Sequence, residues 1–160
     1  YVPQDNFLFS DTIENNIAFG VEQPEHAAAV EAAKLSDVDG NITEFQLGYD
    51  TVLGERGVTV SGGQKQRISI ARSLLKKSQV LLVDEATAAL DVQTAFQVSN
   101  AILELNDLTR IVVTHALDEN LLKRYDCVLT LKNGSITESG SFDELMEKKG
   151  YFYSLFTISQ

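Results

Sequence analysis

The sequence predicts an α/β fold in which a parallel sheet is joined to a separate helical block, and three observations carry this. "VLLV", residues 80–83, is a continuous apolar run of the kind that suits a strand buried on both faces of a parallel sheet. A helical pattern over residues 92–105 separates it from "IVVT", residues 111–114, a second such run, and strand, helix, strand is a parallel crossover expected to be right-handed. Residues 10–77, by contrast, carry helix caps and alanine-rich stretches with no comparable strand signal.

Taken in order, "SDTIENNIAFG" offers Ser10 or Asp11 as a cap and places Ile13 and Ile17 on one face of a short helix closed by Gly20. "PEHAAAVEAAKL" sets Pro24 at the start of an alanine-rich helix. A third short helix is expected over residues 39–45, followed by an irregular stretch, "GYDTVLGERGVTV". Residues 61–77 form a helix with Ile68, Ala71, Leu74 and Leu75 on one face, and Lys76 and Lys77 complement its C-terminal dipole. In the crossover helix, Val92, Ala95, Phe96, Ile102 and Leu105 are expected to face inward. "CVLTLKNGSITES" is a hairpin around Asn133-Gly134, and Ser141 with Glu144 makes a capping box that opens a C-terminal helical tail rich in aromatics.

Length and composition bound the function. A chain of 160 residues with 44% hydrophobic content can bury one domain core. Thirteen Lys and Arg against 23 Asp and Glu leave a net charge of −10, which argues against a nucleic-acid partner. The single cysteine, Cys127, excludes an internal disulfide framework, and no apolar run reaches the ~18 residues of a membrane span. The chain opens "YVPQ" without methionine, and Tyr1-Val2 read as the tail of a strand, so a fragment of a longer protein is expected.

Two places concentrate chemistry. In "VSGGQKQR", Ser61 and Gln64 have capping-box spacing, but Gly62 and Gly63 each cost about 0.5–1 kcal/mol in a helix relative to alanine. A bare helix N-terminus admits a phosphate, so cap and anion site stand as alternative readings of the same residues. Ligands in open α/β sheets sit at the carboxyl ends of the strands, and there the two runs deliver Asp84-Glu85 and Thr114-His115. Adjacent carboxylates at the end of a buried strand suit a Mg²⁺ ligand beside a general base; the plainer reading, that Asp84 only caps the next turn, leaves Glu85 and His115 unexplained.

The order "PQ", "VSGGQ", four apolar residues plus "DE", "AALD" and "TH" resembles the second half of an ATP-binding cassette (ABC) ATPase domain. "VPQDNFLFSDTIENNI" and "GERG", residues 54–57, are similar to stretches of exporters that carry transmembrane and ATPase domains in one polypeptide. The resemblance implies a P-loop NTPase fold of the ABC ATPase type: an incomplete RecA-like parallel sheet core with an inserted helical subdomain. Residues 1–160 would be a partial ATPase domain, with residues 10–77 its mainly helical subdomain and residues 78–160 part of its catalytic core, hairpin and helices.

It also implies roles for single residues. Gln4 matches the Q-loop glutamine that approaches Mg²⁺ and the attacking water, and Ser61, Gly62, Gly63 and Gln64 match the signature that meets the nucleotide. Asp84 matches the carboxylate that orders Mg²⁺, Glu85 the general base, and His115 the switch histidine at the γ-phosphate. Asp91 matches the aspartate at the dimer seam, and it can cap the following helix at the same time. Val60 stands where leucine is usual, and Ala88 where serine is common. Implied cofactors are ATP and Mg²⁺. Implied partners are the transmembrane domain of an exporter and a second ATPase domain, packed head to tail as homo- or heterodimer, at the cytoplasmic face of the cell membrane. None of the ten glycines is followed by lysine, so a P-loop, G-x-x-x-x-G-K-[ST], does not occur in these residues, and the chain by itself is expected to be inactive. An ATPase domain of a soluble ABC-type protein serving DNA repair, chromosome organisation or translation is the alternative; a non-enzymatic binding or regulatory chain is a second.

Overall fold

A computed structural model describes residues 1–4, 6–54, 59–88 and 90–159. Contacts divide the chain into two compact units, Tyr1–His115 and Ala116–Gln160.

The first unit contains a helical core and a sheet core. The helices are α1 (Ile13–Ala18), α2 (His26–Leu35), α3 (Asp39–Thr43) and α4 (Gly62–Leu75), with a single 3₁₀ turn at Gly48–Asp50. Helix α1 starts later than its caps suggested. Leu53 N donates to Asp11 O (2.9 Å) and Ile13 N to Thr51 O (3.0 Å), an antiparallel bridge between Thr12 and Val52 that holds Thr12 extended. Thr12 is therefore the N-cap, its Oγ1 accepting from Asn15 N at 3.0 Å, while the Asp11 carboxylate accepts from Thr12 N and Asn15 Nδ2. Pro24 lies one residue before the N-cap of α2, which is Glu25. Small side chains at Ala29, Ala32 and Ala33 share one face of α2 and pack it closely into a core with Ile13, Ile17, Ile42 and Ile68.

Helix α4 serves both cores, sending Ile68, Ala71 and Leu75 into the helical one and Ile70 into that of the sheet. Strand β1 (Val80–Asp84) pairs in parallel with β2 (Thr109–Val113), in register Val80 to Thr109 through Asp84 to Val113, and α5 (Val92–Glu104) makes the crossover. On the other side of β1, Val2 bridges Val83: its N donates to Leu82 O (2.8 Å), and its carbonyl accepts from Asp84 N (2.9 Å).

Two expectations fail here. The strands are not buried on both faces: Leu81 and Val83 are covered, whereas Val80, Leu82, Ile111 and Val113 are 38–52% exposed. The reason is one-sided cover, since Ile70 of α4 and Val98 and Ile102 of α5 pack on the Leu81/Val83 face. Within α5 the inward stripe is Val98, Ala101 and Ile102, continued by the C-cap Leu105, with helical spacing. Val92 and Phe96 lie off that stripe and are exposed, Val92 at 88%.

In the second unit, α6 (Glu119–Leu122) precedes the hairpin of β3 (Val128–Lys132) and β4 (Ser135–Gly140). Asn133 and Gly134 both take positive φ, 52° and 77°, as a two-residue type I′ turn requires. Both halves of the Ser141/Glu144 capping box form at the start of α7 (Phe142–Lys148). Phe142 meets Phe152 and Phe156 of α8 (Tyr151–Ser159), with ring centroids 5.8 and 5.2 Å away, over Leu122 and Leu145. No helix among the described residues is long and apolar enough to cross a membrane.

Candidate functional site

The parallel pairing of β1 and β2 brings three of the sequence candidates together at one sheet end. Asp84 closes β1, and the backbone N–H of Glu85 still donates to Val113 O of β2 at 2.9 Å. The chain then turns sharply: Glu85 has φ 43°, a left-handed conformation that a residue with a Cβ takes only where its surroundings impose it. In this turn the Glu85 carboxylate reaches both neighbours. His115 Nε2 lies 2.9 Å from Oε1, and Gln4 Nε2 donates to Oε2 at 3.3 Å. Both carboxylate oxygens are thereby engaged, which fixes the plane of a side chain that is only 25% exposed beside a largely open histidine.

Gln4 reaches this place because Val2 is hydrogen-bonded to β1 two residues earlier. The same pairing brings in Tyr1, which carried no motif signal in the sequence: its hydroxyl donates to Asp84 Oδ2 at 3.0 Å. That hydrogen bond, with desolvation and the Asp84 charge, holds the Tyr1 phenol above its usual range.

The second candidate cluster sits at the start of α4. The capping box is complete, with Gln64 N donating to Ser61 Oγ (3.2 Å) and Ser61 N to Gln64 Oε1 (2.9 Å). The N–H groups of Gly62 and Gly63 are left without intrahelical acceptors, as at any helix start. The two glycines differ in surroundings. A Cβ on Gly63 would stand 2.4 Å from Thr94 Cγ2, so the absence of a side chain is what lets α4 approach α5. A Cβ on Gly62 would meet only Leu90 Cδ2, at 3.4 Å, and this residue is exposed. Asp91 caps α5, its Oδ1 accepting from Thr94 N at 3.0 Å; hydrogen bonding to Thr94 holds its carboxyl below the usual range. Among the described residues no hydrogen bond joins residues 61–64 to Asp84, Glu85 or His115. In the "GERG" stretch residues 55–57 lie outside the described residues, as does Ala89 of "AALD".

The donor set bears on a metal. Among the described residues no cluster of three His, Cys, Asp or Glu side chains could hold one. Mg²⁺ does not need such a cage, because it keeps several waters and takes one or two carboxylates plus phosphate oxygens. Asp84, a carboxylate at the end of β1, fits that requirement.

A family model described as "ABC transporter" matches residues 1–88. The multidrug export ATP-binding/permease protein YgaD of Bacillus subtilis (strain 168) is 45% identical over 158 residues, covering 98% of this chain and 27% of that protein. ABC transporter B family member 16 of Arabidopsis thaliana is 44% identical over 160 residues, 99% of this chain and 13% of that one. Among solved structures, a bacterial Atm1-family ABC exporter with ATP bound superimposes with a TM-score of 0.86 at 37% identity, over 99% of this chain and 28% of that one. The chain thus spans about a quarter or less of the length of these relatives.

Proposed function

The chain belongs to the ABC transporter family, as a stretch of an exporter-type ATPase domain, and we propose that it supplies the catalytic carboxylates and the signature of an ATP hydrolase that drives export. The observation that carries this reading is the engagement of Glu85 by Gln4 and His115 at the carboxyl end of β1. Glu85 is the general base, taking a proton from the attacking water at a carboxylate oxygen. Gln4 and His115 orient that carboxylate, and His115 presents a donor to charge that develops on the transferred phosphoryl group. Asp84 and Gln4 would hold Mg²⁺, which when bound would neutralise phosphate charge. Ser61 and Gln64 order the start of α4, so that the N–H groups of Gly62 and Gly63 face a nucleotide phosphate. The nucleotide is held on the P-loop of a second ATPase domain, with Asp91 at the seam between the two.

The partners that follow are a transmembrane domain and a second ATPase domain, at the cytoplasmic face of the membrane. Residues 10–77 act as the helical subdomain and residues 78–160 as part of the catalytic core. The relatives' names, which speak of export and permease function, favour this over a soluble ABC-type ATPase. In the full-length protein that carries this sequence, Glu85→Gln lowers hydrolysis at least ~10²-fold while nucleotide still binds. Near-parental turnover would overturn the general-base assignment. The 160-residue chain alone, with no P-loop lysine among its residues, neither binds ATP tightly nor turns it over. Micromolar affinity with turnover from the purified chain would contradict this.

A further inference from the structure

Helix α4 holds more than its own N-terminus. Tyr1, Asn6 and Phe7, which flank Gln4 in the chain, are each tied to this helix. Ser73 Oγ donates to Tyr1 O at 3.2 Å. Asn6 Nδ2 donates to Gln66 Oε1. Arg72 Nη1 donates to Phe7 O at 3.0 Å, while its Nε donates to Asn16 O at 2.7 Å, and the guanidinium lies over the rings of Phe9 and Phe19.

The middle tie is the informative one. Gln66 is only 3% exposed, yet among the described residues neither its Nε2 nor Asn6 Oδ1 has a hydrogen-bond partner. Each amide thus spends one end on the other and leaves its second end buried with no partner among the described residues, which is a costly arrangement where stability alone is served. An apolar pair of the same shape would pack there without that penalty. What the amides add is direction: a hydrogen bond sets the register of the loop against the helix, which apolar contact does not.

We infer that Gln66, through Asn6, is a positioning residue that holds the Gln4 segment in register with α4, so that the helix bearing Ser61–Gln64 and the glutamine on Glu85 move as one body. This rests on the ATPase reading above. A small displacement of Gln4 would take its Nε2 out of hydrogen-bond range of Glu85, from which it stands at 3.3 Å. Neither Gln66 nor Asn6 needs to touch the nucleotide for this, so the effect falls on turnover rather than on ATP binding.

The test is a double-mutant cycle in the full-length protein, with Gln66→Met, Asn6→Ala and the pair together, reading kcat, KM for ATP and thermal stability. Gln66→Met keeps the volume and removes the amide. Asn6→Ala removes the same contact from the loop side, so the cycle retains an arm if the helix variant folds poorly. Each single variant lowers kcat about tenfold, inside the ~10²-fold that a displacement of ~1 Å at a reacting group can cost, and leaves KM within about twofold. The double variant is no slower than the worse single one. A parental kcat with lowered thermal stability, or losses that multiply in the double variant, would overturn the inference. Glu85→Gln, run in parallel, separates the two readings: if it leaves hydrolysis intact, the ATPase assignment fails whatever Gln66 does.

Discussion

Replacing the two signature glycines one at a time by alanine separates packing from ligand approach, because the structure gives them opposite surroundings. In a helix, glycine to alanine gains up to ~1 kcal/mol from backbone entropy alone. At Gly63 that gain meets a collision, since the new Cβ stands 2.4 Å from Thr94 Cγ2. Thr94 is β-branched and sits in the first turn of α5, so its methyl cannot swing aside cheaply. Overpacking of this kind costs about 1–3 kcal/mol, which leaves Gly63→Ala destabilised by ~1 kcal/mol on balance. At Gly62 the nearest atom outside the first turn, Leu90 Cδ2, lies 3.4 Å from the Cβ position, so Gly62→Ala is neutral or stabilised by up to ~1 kcal/mol. The assay is urea unfolding of the two variants, with thermal midpoints expected to move by about 2–4 °C per kcal/mol in a protein of this size. Thr94→Ala in the Gly63→Ala background should recover most of the loss, because it removes the colliding methyl. On the proposed function, Gly62→Ala in the full-length protein should still slow ATP turnover, since a methyl group would then stand where the phosphate is proposed to approach the N–H groups. If Gly63→Ala proves as stable as the parent and Thr94→Ala brings no relief, the close approach of α4 and α5 is not what requires the glycine.

Two further predictions follow from other parts of the chain. Phe152→Ala empties the centre of the aromatic cluster in the second unit, where the side chain is 1% exposed, and should cost about 3–5 kcal/mol in chemical denaturation. Asp91 has a folded-state carboxyl held below its unfolded value, so its contribution is present above the unfolded pKa and is lost as pH falls through the lower folded-state value. Asp91→Asn keeps an oxygen acceptor for Thr94 N and removes the titration; the acid limb of the stability profile, below about pH 4, should flatten in that variant, and an unchanged limb would place the acid sensitivity elsewhere.

The helix boundaries were legible where local chemistry decides them. Ser61 with Gln64, and Ser141 with Glu144, specify helix starts through hydrogen bonds within four residues, and both capping boxes form as read. Asn133-Gly134 likewise specifies its own turn. Local chemistry misled where a remote segment intervened. Ser10 and Asp11 are acceptable caps, but pairing with residues 51–53 delays α1 to Thr12. Apolar content was also read as burial at Val92, Phe96, Val80 and Leu82, because hydropathy records what a side chain tolerates and not which face a neighbour covers.

The candidate site divides in the same way. By itself the sequence determined the residue types and their order: a glutamine after a strand tail, two carboxylates after an apolar run, a histidine after the next, and a glycine pair at a helix start. Those follow from short-range rules of strand ends and helix caps. Only the tertiary structure decided that Gln4 and His115 take one carboxylate oxygen each of Glu85, that Tyr1 lies on Asp84, and that Gly63 is bare because Thr94 stands against it. Each of these contacts joins residues 30 or more positions apart. Such contacts are set by the parallel register of β1 with β2 and Val2 and by the packing of α4 on α5, which no local pattern encodes.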